Sequence, residues 1–245
     1  MDLPKNRFKA ALKEGRHQLG FWNTIAGPLV PEALAARGFD WIVVDTEHTT
    51  TEAFQVHASL QAIAAYPDTS AVVRPVSNDP AYIKRYLDMG AQTLMIPYVQ
   101  TADEARAAVT AMRYPPRGIR GMAGGTRASR FGLVKDYMTR AEEELCLIVQ
   151  VETIDALAQL EEIATVDGVD AVFIGPADLS GDDLGSDAGG VRVVRVGHVH
   201  VQEGGLVVQL LGPGQGHGVH LVDRREHVPV VPLGEVTKLP KSLSK

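Results

Sequence analysis

Short apolar runs alternate with alanine-rich segments over the first 180 residues of the chain. Six runs have the length and composition of buried strands, at approximately 18–22, 41–45, 71–74, 92–96, 145–151 and 171–174. Between them apolar residues recur at helical spacing, which predicts helices over 30–37, 52–65, 79–88, 102–112 and 154–164. Strands that alternate with helices are typical of βα units around a parallel sheet. The pattern therefore predicts an α/β fold of the (β/α)8 TIM-barrel class.

The length of the chain fits one barrel domain. Its 245 residues, of which 45% are hydrophobic, match the usual size of such a barrel. The six units account for residues 1–180, and residues 181–245 are long enough for the two further units that a complete barrel requires.

Residues 181–245 nevertheless differ sharply in composition from residues 1–180. The first segment holds 27 alanines and the second only one, whereas fourteen valines, twelve glycines and five of the eight histidines lie in the second. The run at 191–196 alternates like a half-exposed strand, and the glycine-rich run at 212–218 is incompatible with a helix. Two interpretations stay open for this atypical tail. It is either an irregular β-rich extension or, as we favour from the abrupt break, the product of a shifted reading frame.

Charge and hydrophobicity narrow the class of protein. The net charge of −6 and the pI near 5.7 argue against a nucleic-acid partner. No apolar stretch reaches the roughly 18–20 residues that span a bilayer, so we expect no membrane partner. The opening residues contain no apolar signal core, and the single cysteine, Cys146, lies in a strand-like run. We therefore predict a cytoplasmic protein.

Two carboxylates stand just past predicted strands. Glu152 ends the fifth strand run, and Asp178 follows the sixth after Gly175, Pro176 and Ala177. Acidic groups at the C-terminal ends of parallel strands lie where a (β/α)8 barrel has its active site. Carboxylate oxygens are hard ligands that suit Mg²⁺ or Mn²⁺, so this pair predicts a metal-dependent enzyme.

Other strand ends also carry polar groups. The second strand leads into Asp45, Glu47 and His48, the third ends at Arg74, and the two-residue alternation of the fifth puts Gln150 on the face of its terminal carboxylate. Each has an ordinary structural explanation, such as a helix cap or an ion pair. Their convergence on one rim favours a ligand site, because unpaired charges at a barrel mouth are costly without one.

A long basic and glycine-rich loop is predicted over residues 113–132. Loops of this length in compact domains are usually functional lids or disordered. Its glycines could also cradle a phosphate, but no Walker pattern is present. We therefore interpret the loop as a lid that covers the substrate.

Several of these motifs together resemble one known family. They are the runs at 39–48, 73–75, 87–92, 117–121, 150–153 and 175–180. In this order and combination they are similar to the HpcH/HpaI family of class II pyruvate-dependent aldolases, which includes 4-hydroxy-2-oxoheptanedioate aldolase. The resemblance covers residues 18–180, and the seventh and eighth βα units of the family are not recognisable after Ser180.

The resemblance implies a mechanism. Glu152 and Asp178 would hold a divalent metal, Mg²⁺, Mn²⁺ or Co²⁺, and the metal and Arg74 would stabilise a pyruvate enolate. His48 would act as general base on the hydroxyl of a 4-hydroxy-2-oxo acid, which is cleaved to pyruvate and an aldehyde. Asp88 of a neighbouring subunit would lie against this histidine. The family-like assembly, a hexamer, would then be needed for activity, provided that the C-terminal part folds.

The resemblance also assigns the remaining site residues. Gln150 and the backbone from Gly175 to Ala177 would bind pyruvate together with the arginine, and Asp45 and Trp22 would support them. Two alternatives stay open: an acyl-CoA lyase of the citramalyl-CoA or malyl-CoA type, and an inactive truncated barrel.

Overall fold

The protein is described by a computed structural model over residues 1–175 and, for the backbone alone, over three later strands. The strands within these residues are β1 (Gly20–Asn23), β2 (Trp41–Asp45), β3 (Ser70–Arg74), β4 (Thr93–Ile96), β5 (Cys146–Val151), β6 (Ala171–Ile174), β7 (Val193–Val196), β8 (Leu206–Gln209) and β9 (Val219–Val222). The α-helices within them are α1 (Arg7–Lys13), α2 (Leu29–Ala35), α3 (Ala53–Ile63), α4 (Pro80–Asp88), α5 (Ala102–Met112), α6 (Tyr137–Arg140), α7 (Ile154–Ala158) and α8 (Leu160–Ala164). None of the described helices is both long enough and apolar enough to cross a membrane.

The six predicted strands all form, and they pair in chain order. Strands β1 to β6 make one parallel sheet in which each strand is hydrogen-bonded to the next. Their ends lie within two residues of the predicted positions. The α/β prediction is therefore confirmed for this part of the chain.

The sheet is strongly curled. Trp22 of β1 and Phe173 of β6 belong to strands five places apart in the sheet, yet their ring centroids are only 5.3 Å apart. A flat sheet would hold such strands more than 20 Å apart, at about 4.8 Å per step. The six parallel strands therefore form a curled half-barrel whose concave face is an interior.

Alternate residues of the strands divide the core into two layers. The inner cluster takes residues from β2 to β6 and from α1; its members are Phe8, Leu12, Trp41, Val43, Val72, Met95, Cys146, Ile148, Ala171 and Phe173. The outer cluster takes the intervening strand residues and packs them against the helices. The same alternation directs Asp45, Arg74 and Gln150, each two residues beyond an inner-cluster member, inward at the C-terminal strand ends, and Glu152 follows Gln150 on the same face.

Helix α1 was not predicted from the sequence. Asn6 caps it, since its side-chain oxygen accepts a hydrogen bond from the backbone N–H of Lys9 at 3.0 Å. Phe8 and Leu12 are buried in the inner cluster, with exposed fractions of 1% and 3%. The ring of Phe8 lies edge-on to Trp41, with 6.3 Å between centroids, so the helix closes the inner cluster at the start of the strands.

The helix predicted over 154–164 is wrong in detail. It is divided at Gln159, which has φ −101° and ψ 11° and therefore leaves the α-helical region. The result is two short helices, α7 and α8. The other four predicted helices form, with ends within two residues of the prediction.

The prediction that residues 113–132 form a lid over the substrate site of the same chain is also wrong. This segment connects α5 to β5, so it lies at the N-terminal ends of the strands, opposite the rim with the polar residues. Backbone hydrogen bonds fix the segment in place: the N–H groups of Ile119 and Arg120 donate to the carbonyls of Thr110 and Arg113, each at 2.9 Å. The helix that precedes the segment, α5, returns the chain to that end of the sheet.

The three later strands do not continue the parallel order. Strand β8 pairs with β6 in the antiparallel sense, and β7 pairs with β9 in the same sense. The strand predicted at 191–196 thus contains β7, while the run at 212–218 lies outside the described residues. Whether the tail stems from a shifted frame stays a prediction.

Candidate active site

An arginine and an aspartate form the centre of the rim. Asp45 and Arg74 end adjacent strands, β2 and β3, and are register partners. Arg74 donates from Nε to Oδ1 of Asp45 at 2.8 Å and from Nη2 to Oδ2 at 2.7 Å. This two-pronged contact fixes the guanidinium plane, as expected for an arginine facing a carboxylate.

Trp22 completes this pair from the neighbouring strand. The guanidinium carbon of Arg74 lies 4.7 Å from the centroid of the Trp22 ring, a cation–π distance. The indole N–H donates to Oδ2 of Asp45 at 3.3 Å. Trp22 therefore contacts both members of the ion pair, the position expected of a supporting residue.

Asp45 is held as a carboxylate. Burial alone would raise its pKa, but the hydrogen bonds and charge of Arg74, with smaller help from the Glu47 N–H and from Trp22, hold the pKa below its ordinary value. The side chain of Arg74 is 8% exposed and that of Asp45 is fully buried. The rim thus contains a nearly water-free, oriented positive charge.

Glu47 joins Arg74 to His48, a role that the sequence did not reveal. Its Oε2 lies 2.7 Å from Nη1 of Arg74 and 3.7 Å from Nε2 of His48. Its position two residues after Asp45 at a strand end was the available signal. The imidazole of His48 is 68% exposed and projects from the rim.

Glu152 follows β5 and is only 5% exposed. Its Oε1 accepts a hydrogen bond from Nε2 of Gln150 at 2.9 Å, and its Oε2 accepts one from the backbone N–H of Tyr98 at 3.2 Å. Tyr98 adopts φ 53°, a left-handed conformation rare for a residue with a side chain. The backbone after β4 is thus bent so that its N–H faces this carboxylate.

Gly175 allows the carboxylate to sit against the end of β6. A Cβ atom at this position would lie 2.8 Å from both Cγ and Oε1 of Glu152. Only glycine can therefore occupy the position without moving Glu152. Whether the backbone of Gly175 binds pyruvate stays a prediction.

The oxygen groups around Glu152 fit a divalent cation in their chemistry. Oε1 of Gln150 is buried and accepts no hydrogen bond from the described residues. This oxygen atom is therefore available as a metal ligand beside the buried carboxylate of Glu152. Asp178 and Ala177 lie outside the described residues. The described residues alone contain no group of three or more histidine, cysteine, aspartate or glutamate side chains that could hold a metal ion.

Asp88 does not join this rim within its own chain. It is the last residue of α4, and helices of βα units run antiparallel to the strands, so it lies near the opposite end of the sheet. There its Oδ1 accepts a hydrogen bond from Nη2 of Arg120 at 2.7 Å. An encounter of Asp88 with His48 would require two copies of the chain.

A curled, six-stranded parallel sheet with polar and charged side chains at its C-terminal strand ends is the architecture of an α/β half-barrel. The chain matches the HpcH/HpaI aldolase/citrate lyase family over residues 18–195, and it belongs to that family. By class it is an aldolase, a lyase.

Relatives with assigned names agree with this class. The chain is 62% identical over 180 residues to hydroxypyruvate/pyruvate aldolase of Sagittula stellata, a match that covers 74% of this chain and 71% of the relative. It is 55% identical to pyruvate aldolase of Rhizobium etli, with 74% and 70% covered. It is 54% identical to 4-hydroxy-2-oxo-heptane-1,7-dioate aldolase of Salmonella dublin, with 73% and 68% covered.

Solved structures support the fold. An HpcH/HpaI aldolase/citrate lyase family protein from Burkholderia cenocepacia has a TM-score of 0.71 at 39% identity, covering 73% of this chain and 72% of that one. The HpcH/HpaI aldolase from Desulfitobacterium hafniense has a TM-score of 0.65 at 31% identity, covering 73% and 69%.

Proposed function

We propose that the protein is a divalent-metal-dependent aldolase that cleaves 4-hydroxy-2-oxo acids to pyruvate and an aldehyde, or forms them in reverse. The observation that carries the proposal is the rim itself. A buried, oriented Arg74 and a buried Glu152 with a spare amide oxygen beside it end nearby strands of one curled sheet. The names of the relatives, pyruvate and 4-hydroxy-2-oxo-heptane-1,7-dioate aldolases, support this substrate class.

Glu152, with Asp178 and the Gln150 oxygen, would hold Mg²⁺, Mn²⁺ or Co²⁺. A bound divalent cation supplies a Lewis acid that draws electron density from the keto group of the substrate. The carboxylate of Glu152 and the buried amide oxygen of Gln150 lie together at the end of β5, and both are hard oxygen ligands of the kind that divalent cations prefer.

Arg74 would stabilise negative charge that develops on the keto oxygen. At most three of the five N–H groups of its guanidinium serve Asp45 and Glu47, so donors remain for a substrate oxygen. Because the guanidinium is fixed and nearly inaccessible to water before the substrate arrives, it can stabilise the developing negative charge without first reorganising.

His48 would remove the proton of the 4-hydroxyl during cleavage and return it during synthesis, directly or through water. Its imidazole is the exposed group of the rim, and Glu47 lies between it and Arg74. Asp88 of a neighbouring subunit would orient this imidazole, which makes assembly part of the function.

The proposal extends to the part of the fold that closes the site. A complete barrel requires two more βα units than the six parallel strands described, and the backbone from Gly175 to Ala177 would bind the pyruvate carboxylate. Supporting this, Gly175 already contacts Glu152 at the end of β6.

Removal and return of metal tests the proposal. Cleavage of a 4-hydroxy-2-oxo acid, followed as pyruvate release, should cease in EDTA and resume with Mn²⁺, Mg²⁺ or Co²⁺. Assays of citramalyl-CoA and malyl-CoA run in parallel, because turnover of a thioester but not of the free acid would replace this function by an acyl-CoA lyase. Full activity after complete chelation would contradict the metal dependence.

A further inference from the structure

Arg120 is a buried cation that the proposed mechanism does not use. Its side chain has no exposed surface, although it lies in a connection between a helix and a strand. Two tyrosines surround it: the guanidinium carbon lies 4.5 Å from the ring centroid of Tyr114 and 5.9 Å from that of Tyr137. Burial of an arginine is expensive, so the position calls for an explanation.

Among the described residues, the cation makes one ionic contact. Nη2 donates to Oδ1 of Asp88 at 2.7 Å, while Nε and Nη1 have no hydrogen-bond partner among the described residues. The tyrosine faces offset part of that cost through cation–π attraction. A buried pair of this kind gives little stability compared with an apolar side chain of similar volume, so stability alone does not account for it.

The backbone around Arg120 is built to keep it in place. A Cβ atom on Gly118 would lie 2.3 Å from the carbonyl oxygens of both Arg113 and Thr110, so the chain passes directly over the end of α5. The N–H of Arg120 then donates to the Arg113 carbonyl at 2.9 Å. The guanidinium is thus fixed by both its backbone and its aromatic cage.

The fixed cation controls the orientation of Asp88. This carboxylate ends α4, where the negative end of the helix dipole disfavours a negative charge. Arg120 compensates that charge and holds Oδ1, while Oδ2 accepts no hydrogen bond within the described part of the chain. The Asp88 side chain is 23% exposed, so its second oxygen can face a neighbour.

We propose that Arg120 is the positioning residue for Asp88: it anchors Oδ1 so that Oδ2 is presented to the active site of the adjoining subunit. This inference rests on the proposed function, in which Asp88 orients His48 of a neighbouring copy. Arg120 itself touches neither substrate nor metal, and it acts only through Asp88.

A double-mutant cycle tests the inference. We expect Asp88→Asn and Arg120→Met each to lower kcat for aldol cleavage, by about 10–100-fold on the scale of positioning effects in enzymes. The double variant should be no slower than Asp88→Asn alone, because groups that act as one unit are not additive. Arg120→Lys, which keeps a charge near Oδ1, should recover part of the rate.

Stability and assembly are measured on the same samples. Arg120→Met leaves Asp88 without its cation and should lower the melting temperature, so kcat is compared well below that temperature, where circular dichroism shows every variant to be folded. Arg113→Met is the matched control: Arg113 lies on the same segment and pairs with Glu142 and Asp167, away from Asp88. Its loss should change the melting temperature but not kcat.

The outcomes separate the two proposals. If Asp88→Asn is impaired but Arg120→Met turns over normally, the positioning role is wrong and the aldolase proposal stands. If the rates in the cycle multiply, Arg120 acts independently of Asp88 and the inference fails. If the wild-type chain shows no metal-dependent cleavage, the proposed function fails, and the role of Arg120 fails with it.

Discussion

At the residue scale, the rim divides into a group around Arg74 and a group around Glu152, for which we propose the roles of stabilising charge and of binding the metal. Arg74 is bound to Asp45 and Glu47, whereas Glu152 is bound to Gln150 and the backbone of Tyr98. No direct contact joins Arg74 to Glu152 among the described hydrogen bonds and ion pairs. The two functions should therefore be separable by mutation.

We expect Arg74→Ala to lower kcat by about 10²–10³-fold with Mn²⁺ affinity unchanged, since loss of one fixed charge contact typically costs this much. Glu152→Ala should abolish Mn²⁺ binding, while Asp103→Ala, an exposed carboxylate on α5, should not. Isothermal titration with Mn²⁺ and turnover on the same preparations measure the split. An Arg74→Ala protein of normal rate would refute the role assigned to the arginine.

The Asp45 pair should make stability depend on acid pH. The pKa of Asp45 is lower in the folded protein than in the unfolded chain. Its contribution is therefore complete above the unfolded value, about 4, and is lost as the pH falls from there through the folded pKa. One proton corresponds to a slope of at most about 1.4 kcal/mol per pH unit.

Urea unfolding between pH 7 and pH 3 checks this dependence. The difference in free energy of unfolding between wild type and Asp45→Asn should be constant near neutral pH and should shrink below about pH 4. A difference that stays constant down to pH 3 would mean that the carboxylate is not stabilised in the folded protein.

At the element scale, the sequence predicted the strands well, because most are short apolar runs such as 146–151, in which every residue is buried. It missed α1, since Arg7–Lys13 mixes charges with apolar residues and contributes only Phe8, Ala11 and Leu12 to the core. The lid interpretation of the 113–132 loop rested on its composition and length, whereas the helix before it places the loop at the N-terminal strand ends. The contacts of Glu47 and Arg120 could not be predicted, because they are made with residues distant in the sequence.

Helix α1 should be as important to stability as a strand. Phe8→Ala removes a ring that is 1% exposed and packs on Trp41, which should cost about 3–5 kcal/mol. Lys13→Ala on the same helix changes an exposed residue and should stay within about 0.5 kcal/mol of wild type. Chemical denaturation of the two variants compares them, and equal stability would show that α1 is not part of the cooperative core.

At the scale of the whole molecule, residues 18–195 carry the family match, and the rim residues described within them, Asp45, Arg74, Gln150 and Glu152, lie at the C-terminal ends of β2, β3 and β5. What the sequence could not supply is the closure of the sheet. Within the described residues β1 pairs only with β2, and β6 takes an antiparallel neighbour, β8, where a barrel would have a parallel one. The candidate site residues can therefore be predicted from local sequence motifs, whereas closure of the sheet into a barrel cannot, because it depends on the entire chain.

The reactivity of the Cys146 thiol can be used to measure how often the curled sheet opens. The thiol is buried in the inner layer of β5, the strand that leads to Glu152, and burial raises its pKa well above the ordinary value. A disulfide reagent such as DTNB therefore meets an inert group until the sheet separates. Where reclosing is faster than labelling, the rate follows the population of open molecules.

Mn²⁺ at about 100 times its dissociation constant should slow this labelling about 100-fold, because a ligand of the closed form alone lowers the open fraction by that factor. A Cys146→Ser variant gives the reagent blank. Labelling that is rapid and indifferent to Mn²⁺ would mean that the chain with its present tail does not hold the curled sheet shut. The labelling rate of the protein's single cysteine thus reports how often the folded sheet opens, and a colour reaction measures it before any substrate is known.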